Sequence, residues 1–124
     1  MEWKLKRSLL RQLMRAAQTV YPNEFISMVA VSPTDKNLVS EFVILPAEFG
    51  RVHSNIRADL MPVDPTIVGT VHSHPSPSTQ ASGQDKETFS RLGRFHLILG
   101  YPFDDACFTA YDSSGRRVRV EIVE

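Results

Sequence analysis

The chain has 124 residues, of which 42% are hydrophobic, and its 14 Lys+Arg balance 14 Asp+Glu. That is the length of one ordinary domain, and the composition excludes a disordered tail, a collagen-like repeat and a bare coiled coil. Zero formal charge speaks against a general nucleic-acid binder, which carries a basic excess. The single cysteine, Cys107, cannot form an internal disulfide and fits a reducing, cytoplasmic compartment.

In chain order, the first segment, MEWKLKRSLLRQLMRAAQTV, places Leu5, Leu9 and Leu13 at helical spacing, with Met14, Ala17 and Val20 alongside. It is expected to be a helix laying an apolar stripe on the core. Its charges interrupt every candidate apolar run, so it does not read as a secretion signal, and no window approaches the ~18 apolar residues of a membrane span. Lys4, Lys6, Arg7, Arg11 and Arg15 read as the solvated face of that helix. The break at Tyr21-Pro22-Asn23 follows from the restriction proline places on its predecessor. Strands are expected over Phe25–Val31, ended by Ser32-Pro33-Thr34-Asp35, and over Leu38–Leu45, closed by Pro46. A weaker strand is expected around Val52–Ala58, then Thr66–His72. Ser82–Leu92 reads as a second helix, stopped by Gly93. Strands over Phe95–Leu99, Cys107–Tyr111 and Val118–Ile122 complete the chain, the last two joined by an Asp112-Ser113-Ser114-Gly115 hairpin turn. The expected fold is α/β, a single domain over residues 1–124 with a curled mixed sheet flanked by two main helices, not a doubly wound one.

The chemistry concentrates in His72-Ser73-His74-Pro75-Ser76-Pro77-Ser78-Thr79-Gln80-Ala81-Ser82-Gly83-Gln84-Asp85. Residues i and i+2 of an extended chain face the same way, so His72 and His74 can converge on one metal. Seven residues then return the chain to Ser82, a helix cap, and Asp85 can project its carboxylate back toward the histidines. Two imidazoles and one carboxylate leave a fourth tetrahedral position for water, the ligand count of a catalytic zinc site. The whole string is expected roughly 5 × 10⁻⁴ times in a shuffled chain of this composition. Ser82 and Asp85 alone also form the S-x-x-D pattern of a capping box, which needs no metal. His53 has no spacing that recruits it. His96 and Cys107 lie in apolar strands and read as core residues.

The string resembles the H-[ST]-H-x7-S-x2-D signature of the JAMM (MPN+) metallopeptidases, and small archaeal-type members above all. The resemblance covers essentially the whole chain and includes Glu24, at the start of the strand after the first helix. It implies a cytidine-deaminase-like sandwich with one zinc ion per chain, held by His72, His74 and Asp85. It further implies Glu24 as general base and Ser82 as stabiliser of the oxyanion. The implied activity is deubiquitinase-like cleavage of isopeptide or peptide bonds after the C-terminal Gly-Gly of a ubiquitin-like modifier. The chain departs from many members at Ile26-Ser27-Met28, where they carry a small Cys-Gly or Gly pair.

Other readings keep the string and change the use: a peptidase trimming a sulfur-carrier precursor, or a non-catalytic MPN scaffold. The bacterial RadC type shares a similar string but carries an additional helical region, for which this chain has neither the length nor the basic excess. The expected partner is a ubiquitin-like or sulfur-carrier protein, with no nucleic acid and no membrane. An edge strand over Val52–Asp59 would suit β-addition of an extended substrate tail.

Overall fold

The structure is a computed structural model that describes residues 2–43 and 64–124. Its elements run β1 (Trp3–Lys6), α1 (Arg7–Val20), β2 (Ile26–Ser32), β3 (Asp35–Val43), β4 (Ile67–His74), α2 (Gly83–Leu92), β5 (Phe95–Gly100), β6 (Phe108–Tyr111) and β7 (Val120–Val123). The strands form one mixed sheet in the order β6-β5-β4-β2-β3-β1-β7. Two helices on a single mixed sheet is the expected architecture. The expected strand over Val52–Ala58, its role in β-addition, and His53 lie outside the described residues.

The two faces of the sheet follow from strand alternation. In β5, Phe95, Leu97 and Leu99 join Leu9, Leu10, Leu13, Met14 and Ala17 of α1 in the main core, with Val29, Val31, Val39 and Val71 from neighbouring strands. The alternate residues face the other way, where Ile98 packs with Phe89 of α2, Ala81 and Tyr111. Covering by one helix on each face explains why β2, β4 and β5 are buried almost throughout.

Two expectations are corrected. The first helix does not begin near the N-terminus: Trp3–Lys6 is a strand with a buried-intermediate alternation, and α1 starts only at Arg7. Trp3 and Leu5 satisfy a period of two as well as the helical spacing, and parallel partners on both sides, β3 and β7, settle the choice. The last two strands are also not a hairpin. The turn at Asp112 forms, with Gly115 N–H donating to Asp112 O at 3.1 Å, but antiparallel pairing stops at one bridge, Tyr111 with Arg117. The chain then crosses to the far edge, where β7 pairs parallel to β1.

Three residues of the basic segment meet carboxylates at the surface. Lys4 pairs with Asp35, Arg7 with Glu124 at 2.6 Å, and Arg11 approaches Asp105 at 3.6 Å. No helix among the described residues is long and apolar enough to cross a membrane.

Gly69 sets the distance between β4 and β5. A Cβ there would lie 1.6 Å from the Phe95 carbonyl oxygen, so no other residue fits. The two strands run parallel with Thr70 beside His96, His72 beside Ile98 and His74 beside Gly100.

Candidate metal centre

His72 and His74 belong to the last three residues of β4 and do not follow it. Their side chains leave on one face, as period-two geometry requires, and their Nε2 atoms come within 3.3 Å of each other. Asp85 enters from above, in the first turn of α2. Its Oδ1 lies 3.1 Å from His72 Nε2 and its Oδ2 lies 3.3 Å from His74 Nε2. His72 is buried, while His74 and Asp85 are partly open to solvent.

The protonation pattern identifies what belongs between them. His74 Nδ1 sits 3.0 Å from the Ser78 carbonyl oxygen. A carbonyl only accepts, so Nδ1 carries the proton and the Nε2 of a neutral His74 presents a lone pair to the carboxylate. A lone pair facing a carboxylate needs a cation between them, either a proton or a metal ion. Without a metal the proton takes that place. The Asp85 carboxylate holds the His74 pKa above its ordinary 6.5, against the opposing effect of burial and with help from Ser78 O and the Glu24 charge. Burial alone would raise Asp85, but hydrogen bonds from His72, His74 and the Ser82 backbone hold it well below the usual carboxylate range.

The donor set fits a divalent ion. Ligands 2.0–2.1 Å from a tetrahedral zinc stand about 3.3 Å apart, close to the 3.1–3.3 Å separations seen here. The Nδ1–H of His74 on a backbone carbonyl is also the outer hydrogen bond that orients a metal-binding imidazole.

Ser82 is the N-cap of α2. Its Oγ accepts from Asp85 N–H at 3.0 Å and its own N–H donates to Asp85 Oδ2 at 2.9 Å, a complete capping box. The helix cap and both imidazoles therefore share one carboxylate. The Ser82 residue is exposed at the rim beside the three donors.

Glu24 comes to the same face by register. Ile26 is the Cα partner of His72 in the antiparallel β2–β4 pair. One step outward, Phe25 N–H donates to Ser73 Oγ at 2.8 Å and Ser73 N–H to Phe25 O at 2.9 Å. Continued one residue further, this register would set Glu24 opposite His74; Glu24 is half-buried and its charge acts on the His74 imidazole. Ile26, the first residue of the Ile26-Ser27-Met28 run, is buried directly opposite His72.

A model of prokaryotic homologs of the JAB domain matches residues 6–113. The chain belongs to the JAB (JAMM/MPN) family. A curated relative of this JAB chain, described as a probable metalloprotease of Haloferax volcanii, is 29% identical over 119 residues, covering 90% of this chain and 73% of the relative. A JAB1/MPN domain protein from Archaeoglobus fulgidus is 34% identical with a TM-score of 0.79, covering 98% of this chain and 99% of that one. A third protein, whose structure is described as JAMM, a metalloprotease-like zinc site in the proteasome and signalosome, is 32% identical with a TM-score of 0.78 and full coverage of both chains.

Three residues of this JAB chain support the centre without being candidate ligands, and only Ser73 of them lies in the string. Ser73 faces away from the histidines and staples the start of β2 to β4; alternation alone foretells its direction. Tyr111 binds the loop leading to Ser82, its hydroxyl donating to Thr79 O at 2.7 Å and accepting from Ala81 N–H at 3.1 Å. Phe89, one turn beyond Asp85, is fully buried against the sheet. Cys107 departs from the core reading: it is only partly buried, just ahead of β6, and its thiol donates to Asp104 Oδ1 at 3.0 Å.

Proposed function

We propose that this chain is a zinc metallopeptidase, with His72, His74 and Asp85 holding the ion and Glu24 and Ser82 serving the reaction. The observation that carries the reading is the convergence of the His72, His74 and Asp85 donors within 3.1–3.3 Å on the sheet face that Glu24 reaches opposite His74. When bound, zinc supplies a Lewis acid that polarises the scissile carbonyl and acidifies water. Glu24 takes a proton from the attacking water as it adds to the carbonyl carbon, then gives one to the leaving amine as the C–N bond breaks. The Ser82 hydroxyl accepts from Asp85 N–H, and its own proton is donated to the oxygen that gains charge in the tetrahedral intermediate. Ser78 O keeps His74 in the tautomer that leaves Nε2 a ligand.

The substrate is a ubiquitin-like or sulfur-carrier protein cleaved after its C-terminal Gly-Gly. Family membership supports that class, and the reaction is placed in the cytoplasm, consistent with a chain bearing one cysteine. The test is zinc content of purified wild type beside His74→Ala and Asp85→Ala, followed by incubation with a Gly-Gly isopeptide conjugate. About one zinc per chain, lost in both variants, with cleavage by the wild type alone, supports the reading. Equal metal in all three leaves the string as a loop and a helix cap and makes a scaffold role the better account. Zinc binding without isopeptide cleavage, together with trimming of a sulfur-carrier precursor, moves the substrate to the second class.

A further inference from the structure

On the metal face of the sheet, α2 is held by very little. Of its 10 residues only Phe89 and Leu92 are buried, so the placement of Asp85 depends on how Phe89 is gripped. Asp85 and Phe89 stand four residues apart on one helix face, and whatever fixes the Phe89 ring fixes the carboxylate one turn before it. The Phe89 ring stacks on His96 at 4.3 Å with 16° between planes, and on Tyr111 at 5.5 Å with 29° between planes. Its centroid lies 6.3 Å from that of His72.

The two stacking partners also bond to the ends of the helix. His96, fully buried, has its Nε2 2.9 Å from the carbonyl oxygen of Gly93, the C-cap of α2. A carbonyl only accepts, so Nε2 bears the proton, and Nδ1 accepts from Thr70 Oγ1 at 2.7 Å. Thr70 lies two residues before His72 on β4, so one neutral imidazole joins the ligand strand to the helix C-terminus. Tyr111 acts at the other end, bonding Thr79 O and Ala81 N–H just ahead of the N-cap Ser82.

We propose that His96 and Tyr111 form a two-point clamp that sets α2 over β4 and thereby fixes Asp85 against His72 and His74. This rests on the metal-centre reading above, and both are positioning residues, neither of them a ligand. With only Phe89 and Leu92 buried, a short helix is free to slide or roll by the fraction of an ångström that metal affinity feels; polar bonds at both ends and a ring stack between them remove that freedom.

The experiment compares wild type with Tyr111→Phe, which removes one oxygen and keeps the ring, and His96→Leu, which fills the slot without its bonds. Val39→Ala, in the core of the opposite face, is the control for general destabilisation. Hydrogen exchange over residues 79–93 is measured by mass spectrometry on metal-free protein, and Zn²⁺ affinity by competition with a chromophoric chelator. Both clamp variants are expected to exchange faster across 79–93 and to bind Zn²⁺ about 10-fold more weakly, the lower end of losses seen for outer-shell partners of metal ligands. The Val39→Ala control is expected to melt earlier with 79–93 and Zn²⁺ affinity unchanged. Wild-type exchange in Tyr111→Phe overturns the clamp, and so does faster exchange with wild-type Zn²⁺ affinity, since α2 would then be held without consequence for Asp85. If His96→Leu does not fold, Tyr111→Phe decides alone. A wild type that binds no Zn²⁺ defeats the metal-centre reading, and the exchange data still decide whether the clamp holds α2.

Discussion

Ser82 and Asp85 close a reciprocal pair in which each side chain accepts from the other's backbone N–H, at 3.0 and 2.9 Å. The same Asp85 carboxylate meets both imidazoles at 3.1 and 3.3 Å. The cap thus aims the ligand: a carboxylate tethered to Ser82 N–H has lost most of its rotamer freedom before any metal arrives.

Capping and ligation separate on substitution. Ser82→Ala removes the cap acceptor and is expected to cost about 1 kcal/mol, seen as a melting point a few degrees lower. Asp85→Asn keeps an oxygen for Ser82 N–H but loses the charge. It is expected to melt below wild type when metal-free, because the pairing of Asp85 with His74 is lost, and to lose Zn²⁺ affinity by at least about 10-fold. Equal Zn²⁺ affinity in Asp85→Asn and wild type would remove Asp85 from the ligand set.

Glu24 carries a proton and holds no metal in the proposed reaction, so Glu24→Gln is expected to keep its zinc and lose cleavage. The expected fall in turnover is about 10²–10⁴-fold, the range for a general base. Metal analysis of the variant checks the assignment, and loss of zinc would make Glu24 a ligand instead.

Burial drives the pKa of His96 from 6.5 down to about 4, against the opposing effect of its hydrogen bonds to the Gly93 and Phe89 backbone. Its folded pKa lies below its unfolded one, so the unfolded chain binds the extra proton first. The neutral form therefore stabilises the fold above pH 6.5, and that contribution is lost as pH falls from 6.5 through about 4. The whole loss amounts to about 3 kcal/mol. Denaturant midpoints of metal-free wild type and His96→Gln, followed from pH 7 to pH 4, are expected to converge as the pH drops. Parallel curves would show that His96 does not titrate in this way.

Gly100 ends β5 beneath the loop that carries Ser78. A Cβ there would stand 2.9 Å from both Pro77 O and Thr79 Cγ2. Gly100→Ala is expected to lift residues 76–79, loosen the Ser78 carbonyl from His74 Nδ1, and weaken Zn²⁺ binding with little change in secondary structure. Chelator competition and far-ultraviolet circular dichroism check the two halves separately.

Much of this molecule could be read before it was folded. Local signals placed β2, β4, α2 and β5 within a few residues: apolar runs bounded by proline and glycine, and a Ser–Asp cap at the start of a helix. The His72, His74 and Asp85 set was equally legible, because period-two alternation and one helical turn act over distances the chain itself fixes. Other features depended on partners remote in sequence. Trp3–Lys6 satisfies two periodicities, and only pairing with β3 and β7 makes it a strand. The turn at Asp112 promised a hairpin, yet β7 pairs with β1 at the far edge, a contact between the two ends of the chain. Glu24 carries almost no signal of its own and gains a place at the centre through the β2–β4 register. His96 reads as a core residue and Tyr111 only as the end of a strand, and their grip on α2 exists only once β5 and β6 lie beneath it. The sequence by itself determined which atoms could bind a metal, since spacing along a strand or helix turn sets direction. The tertiary structure decided how firmly those atoms are held, since that depends on side chains brought together from distant parts of the chain.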